Sequence, residues 1–86
     1  MSESILLEAE QLTGETRREE YGDPKPHFEL VAKLWSEALG VEVAPEDVTR
    51  CMMLLKVARS LTGNVKRDTF TDICGYARLT TDLMSE

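Results

Sequence analysis

Residues 48–61, VTRCMMLLKVARSL, form the most apolar helical segment of the chain, and the fold is organised around it. Proline is favoured at the first position of a helix, so Pro45, just before this stretch, predicts where the helix begins. The helix is expected to run to about Thr62 and to stop at Gly63 and Asn64. Its apolar side chains nearly encircle it, and a helix that is apolar on most sides is buried on most sides.

The rest of the chain predicts three more helices and no strand. The spacing of apolar residues places them over about 4–20, from near 26 to 39 with Gly40 as a stop, and over about 68–84. With only 86 residues there is room for one small core. The expected fold is therefore all-α, a small four-helix domain that takes up residues 1–86 as a single unit.

Composition excludes several functions. The net charge is −6, from 16 acidic and 10 basic residues, which disfavours binding to a DNA or RNA duplex or to an anionic membrane. The longest apolar run, Cys51 to Leu55, is far shorter than the roughly 20 residues of a transmembrane helix. No secretory signal is evident, which favours a cytoplasmic protein. Cys51 and Cys74 lie on apolar stripes, which predicts reduced core residues and not a disulfide.

Two helices carry more apolar surface than a chain of this size can cover. The third and fourth helices each present two apolar faces. We therefore expect the protein to form a helical homo-oligomer. Its contacts are expected to use Leu54, Val57, Leu61, Leu79 or Leu83.

Charged residues interrupt these apolar stripes at two places. At about 100° per residue, Arg59 falls inside a stripe of the third helix and Asp72 falls inside a stripe of the fourth. A buried charge is costly unless it is paired, so these two side chains are expected to meet each other, a ligand, or both. One interpretation is a structural pair that fixes the helix register. Because Lys56 and Asp68 enlarge the cluster, the alternative is a polar ligand site.

A phosphate is the ligand that fits the basic members of the cluster. Lys56 and Arg59 lie one helical turn apart, where a guanidinium fork and an ammonium can grip one phosphate. His27 is a further candidate for a phosphate or base contact, and Tyr21, beside a Gly-Asp-Pro turn, is a candidate for stacking on a base. A solvated His27 is the alternative.

The acidic members of the cluster point to a different ligand. Asp68 and Asp72, at positions i and i+4, can share a divalent cation such as Mg²⁺. Asp68 can instead be a plain N-cap of the fourth helix.

Several of these residues also belong to a wider pattern. Arg18-x-x-Tyr21-Gly-Asp-Pro, Lys56-x-x-Arg59 and Asp68-x-x-x-Asp72-x-x-Gly-Tyr76-Ala resemble a family of small uncharacterised proteins of bacteriophages and prophages, over residues 15–83. The second half is distantly similar to MazG-like all-alpha nucleoside triphosphate pyrophosphatases. That resemblance implies a MazG-like fold and adds Tyr76 to the candidate ligand-binding residues.

The chain departs from the pyrophosphatases in its carboxylates. Those enzymes carry an E-x-x-E pair on one helix and an E-x-x-D pair on the next, whereas Thr69 stands three positions before Asp72 here, and Glu29 and Glu37 form no such pair. Since Mg²⁺-dependent hydrolysis needs several carboxylates, we expect a non-catalytic, cofactor-free protein that binds a phosphate-bearing nucleotide. In a host cytoplasm it would sequester a nucleotide immune signal. The alternatives are a Mg²⁺-dependent nucleotide pyrophosphohydrolase and a module that binds a host protein.

Overall fold

The protein is seen in a computed structural model that describes residues 4–14, 23–63 and 66–84. Within these ranges the structure contains four helices and no strand, which confirms the all-α prediction. The helices are α1 (Ile5–Thr13), α2 (Pro24–Leu39), α3 (Pro45–Ser60) and α4 (Arg67–Met84). No described helix is both long and apolar enough to cross a membrane.

The helix ends follow from local capping. The Ser4 hydroxyl accepts a hydrogen bond from the Leu6 amide at 3.2 Å and begins α1. Asp23 does the same for α2, accepting from the Lys25 amide at 3.0 Å, so α2 begins at Pro24 and not near Pro26 as expected. Gly40 ends α2 in the left-handed conformation with φ 73°, as its position predicted.

The first helix is shorter than its apolar pattern predicted. It ends at Thr13, because Gly14 has an extended backbone while its amide donates to the Glu10 carbonyl at 2.6 Å. A Cβ atom at residue 14 would lie only 2.5 Å from that carbonyl oxygen, so this ending requires glycine. The remainder of the expected helix, with Tyr21 beyond it, lies outside the described residues.

An antiparallel hairpin of α3 and α4 forms the centre of the molecule. Thr49 and Val48 are fully buried near the start of α3, and the Thr80 hydroxyl of α4 donates to the Thr49 hydroxyl at 2.6 Å. α1 packs on α4 and α2 packs on α3. Leu83 is buried in this core, so it is removed from the alternative oligomer contacts.

The third helix is not buried on most sides within one chain, contrary to its predicted environment. Its exposed α3 face comprises Cys51, Leu54, Val57, Ala58 and Leu61. Leu54 is 67% exposed and Leu61 is 80% exposed.

Cys51 and Cys74 are free as expected, but Cys51 is not a core residue. The helices form a flat arrangement of 46 × 34 × 19 Å, whose radius of gyration of 13.9 Å exceeds the value of about 12 Å for a compact domain of this length.

Candidate functional site

The predicted charge cluster lines one cleft between the end of α3 and the start of α4. This polar cleft has a volume of about 390 Å³. The hairpin turns between the two helices here, so side chains from both of them and from the connection face the same space. The lining residues are Lys56, Arg59, Thr62, Gly63, Lys66, Asp68, Thr69 and Asp72.

The ion pair inside the polar cleft joins Lys56 and Asp72. Lys56 Nζ lies 3.0 Å from Asp72 Oδ2, and the two side chains are 20% and 34% exposed. The expected contact between Arg59 and Asp72 is therefore wrong. Lys56 and Asp72 occupy facing positions in the antiparallel hairpin, so the Lys56 ammonium takes the carboxylate that sequence reasoning gave to Arg59.

Arg59 is exposed and not buried in an apolar stripe. The prediction that Arg59 is buried requires the apolar stripe to be buried along the whole of α3. Burial instead falls along the helix, from Val48 near its start to Leu61 just past its end. Among the described residues, no ion pair or hydrogen bond involves the Arg59 guanidinium. All of its donors therefore remain open to a ligand in the part of the chain that the structure describes.

The polar cleft is more basic than the rest of the molecule. Three basic side chains, from Lys56, Arg59 and Lys66, face two carboxylates, whereas the whole chain carries a net charge of −6. Arg67, the neighbour of Lys66, does not line the cleft and donates from Nε to Glu8 at 3.0 Å.

A second ion pair joins α1 to α4 away from the cleft. Arg78 of α4 donates to the Glu10 carboxylate, and this hydrogen bond raises the pKa of the Arg78 guanidinium. Asp82 Oδ2 lies 3.7 Å from Arg78 Nε and favours the charged form further. These contacts position α4 on α1 and have no part in the cleft chemistry.

The two candidate metal ligands both reach the polar cleft. Because α4 begins at Arg67, Asp68 lies in the first turn of the helix and is not its N-cap. Asp72 Oδ2 is occupied by Lys56. No group of three or more His, Cys, Asp and Glu side chains that could hold a metal ion occurs in the described ranges.

An apolar cleft of about 290 Å³ lies farther along α4. Tyr76 and Leu79 line it from α4, Phe28 lines it from α2, and Leu12 lines it from α1. Asp72 lines both clefts, so the two share a wall. The apolar cleft exists because α1 and α2 both approach α4 at this level.

Of the two remaining predicted ligand-binding residues, His27 and Tyr21, the structure describes His27. His27 is exposed at the start of α2, with its ring 5.2 Å from that of Phe28, and it lines neither cleft. Tyr21 lies outside the described residues. Gly75 lines the apolar cleft and also lies beside α1, where an added Cβ would be in ordinary contact with the Thr13 methyl group at 3.4 Å.

Sequence reasoning missed Phe28 and Leu12 as cleft residues. Phe28 lies on the apolar stripe of α2 and Leu12 on that of α1, and nothing in such a stripe separates a core residue from one that lines a cleft. The Thr62 and Thr69 side chains were missed as well, because their contribution depends on how the hairpin turns.

The chain belongs to the family described as a domain of unknown function, DUF6378, which matches residues 4–84. The gene 55 protein of Mycobacterium phage L5 is 45% identical over 75 residues, which are 86% of this chain and 48% of that protein. The gene 55 protein of Mycobacterium phage D29 is 44% identical over 77 residues, 90% of this chain and 51% of that protein. The chain thus spans about half the length of these curated relatives. No solved structure is significantly similar to it.

Proposed function

We propose that this DUF6378 domain binds a phosphate-bearing nucleotide in the polar cleft and does not hydrolyse it. The observation that carries the proposal is Arg59, whose guanidinium faces the cleft without a partner among the described residues. Arginine offers a planar fork that matches two phosphate oxygens, and Lys56 and Lys66 add point charges on the same cleft.

The volume of the cleft is compatible with this ligand. At about 390 Å³ it lies within the range of roughly 300–1,000 Å³ that small-molecule sites occupy. Its lining is polar, as a phosphate requires. In an acidic chain, the concentration of three basic residues on one cleft selects a compact anion over an extended polyanion such as duplex DNA.

Binding without hydrolysis is favoured by the state of the carboxylates. Asp72 is bonded to Lys56, which leaves Asp68 as the one carboxylate of the cleft without a bonded partner in the described ranges. Metal-assisted attack on a phosphate needs carboxylates that hold the ion and activate water. The proposed MazG-like ancestry of the α3–α4 hairpin therefore concerns the scaffold, and the proposed biological role is sequestration of a host nucleotide signal in the host cytoplasm.

A homo-oligomer is part of this proposal. Cys51, Leu54, Ala58 and Leu61 follow the 3-4-3 spacing of a helical interface, and they lie on the exposed α3 face. The residues at 51 and 58 are small and allow two helices to approach closely. A second copy of the chain offers the same apolar strip, so a symmetric pair covers both.

Thermal unfolding in the presence of nucleotides tests the proposal. Mono-, di-, tri- and cyclic nucleotides are added in turn to the wild type and to Arg59→Ala, and the melting temperature is recorded. We expect at least one nucleotide to raise the wild-type melting temperature, because a ligand that binds only the folded state stabilises it. The Arg59→Ala shift should be smaller. No shift with any nucleotide would contradict the proposal.

Product analysis separates the binder from the enzyme. Nucleoside triphosphates are incubated with the protein and Mg²⁺ or Mn²⁺ and then resolved by chromatography. We expect unchanged triphosphate. Release of monophosphate and pyrophosphate that is lost in Asp72→Asn would instead establish the pyrophosphohydrolase.

A further inference from the structure

We infer that the polar cleft and the apolar cleft form one elongated site, in which the base of the nucleotide lies against Tyr76 and Phe28 while its phosphates lie beside Lys56 and Arg59. The inference rests on the proposed function and adds to it how the ligand is oriented. It also gives the apolar cleft a role as the base subsite, since phosphate recognition uses only the polar cleft.

A single face of α4 connects the two clefts. Asp68, Asp72, Tyr76 and Leu79 fall within a sector of about 80° when placed at 3.6 residues per turn. Asp68 lines the polar cleft, Tyr76 and Leu79 line the apolar cleft, and Asp72 lines both. The clefts are therefore consecutive sections of one groove along this helix.

The length of the groove suits a nucleotide with several phosphates. From Asp68 to Leu79 the helix rises by about 16 Å, at roughly 1.5 Å per residue. A mononucleotide in an extended conformation, with base, sugar and phosphates in series, covers a comparable distance. A free phosphate or pyrophosphate would fill only the polar end.

The chemistry of the groove changes along its length in the order that a nucleotide requires. The polar end carries Arg59 and Lys66 for phosphate oxygens, and the other end offers the rings of Tyr76 and Phe28 for a base. Asp72 lies between them. Its Oδ2 atom holds Lys56, while Oδ1 has no hydrogen-bond partner among the described residues and can accept from the hydroxyl groups of a sugar.

Calorimetric titration with two kinds of ligand tests the base subsite. The wild type is titrated with each of the four ribonucleoside triphosphates and, separately, with inorganic triphosphate. We expect at least one nucleotide to bind about 5- to 150-fold more tightly than inorganic triphosphate, the range that corresponds to stacking of one base. Tyr76→Leu and Phe28→Leu should reduce this advantage and leave the affinity for inorganic triphosphate unchanged.

Phe70→Leu is the matched control, because Phe70 is a partly exposed aromatic residue of α4 that lines neither cleft. Its affinities should equal those of the wild type. Equal affinity for nucleotides and inorganic triphosphate would overturn the base subsite while the phosphate-binding proposal stands. A nucleotide advantage that survives both leucine substitutions would also overturn it. If none of these ligands binds, the base subsite and the proposed function fail together.

Discussion

Leu54 on the exposed α3 face allows a quantitative test of self-association. Leu54→Ala removes three carbon atoms, and each buried CH₂ group contributes about 0.8 kcal/mol. Since 67% of Leu54 is exposed in the single chain, its burial in an interface would recover about two-thirds of that sum, or about 1.6 kcal/mol. A symmetric pair contains Leu54 twice, so the substitution should cost about 3 kcal/mol and raise the dimer Kd about 100- to 200-fold.

Sedimentation equilibrium over a concentration series measures this change against the 9.7 kDa mass of one chain. Leu39→Ala is the matched control, because Leu39 is 65% exposed but belongs to α2 and not to the exposed α3 face. We expect the control to keep the wild-type Kd, and circular dichroism to show the same helix content in all three proteins. A wild type that stays monomeric would contradict self-association through this face. So would a Leu54→Ala Kd within a factor of about three of the wild-type value, which is a free-energy change of about 0.7 kcal/mol.

Three further substitutions test the hairpin and the polar cleft. Thr49→Val removes the buried hydroxyl that accepts a hydrogen bond from Thr80, and the loss of about 1 kcal/mol should lower the melting temperature by about 4–8 °C. An unchanged melting temperature, followed by circular dichroism, would contradict a stabilising role for this bond. Gly75→Ala should raise the melting temperature, because the added methyl meets Thr13 at an ordinary 3.4 Å and removes a helix penalty of about 1 kcal/mol; a clear decrease would show that the packing there is tighter. Asp72→Asn should tighten the binding of triphosphate, measured by calorimetric titration, by up to about tenfold, because it frees Lys56 and removes a negative charge from the polar cleft. Weaker binding would indicate that the Asp72 carboxylate itself contributes to the ligand site.

Sequence alone predicted the helical architecture because apolar spacing, prolines and glycines are local signals. Pro45 and Gly40 act within one turn of where they stand, so the end of α2 and the start of α3 could be placed correctly. The end of α1 was missed because the apolar pattern does not show that Gly14 must pack closely on the Glu10 carbonyl.

The cleft was predicted in part, for a related physical reason. The four charged residues line one cleft as expected, because the basic pair lies near the end of α3, the acidic pair lies near the start of α4, and the two helices form a hairpin. These residues are Lys56, Arg59, Asp68 and Asp72. Which carboxylate pairs with which base depends on the register of the hairpin and on how far each helix is covered. Sequence periodicity gives the angular position of a side chain around its helix. It does not give how far neighbouring helices bury that position at each turn, and for this reason Arg59 was wrongly expected to be buried and paired.

Calorimetric titration of the wild type and of Arg59→Ala with a nucleoside triphosphate measures whether Arg59 binds phosphate in the polar cleft. Loss of one charge-assisted contact of about 1.5–3 kcal/mol should weaken binding by about 10- to 140-fold, with values near the lower end because Arg59 is exposed. Arg50→Ala is the control, since it removes the same charge from α3 at a residue that pairs with Asp47 outside the cleft. We expect wild-type affinity for Arg50→Ala and the stated loss for Arg59→Ala, and equal affinities in all three proteins would contradict phosphate binding by Arg59.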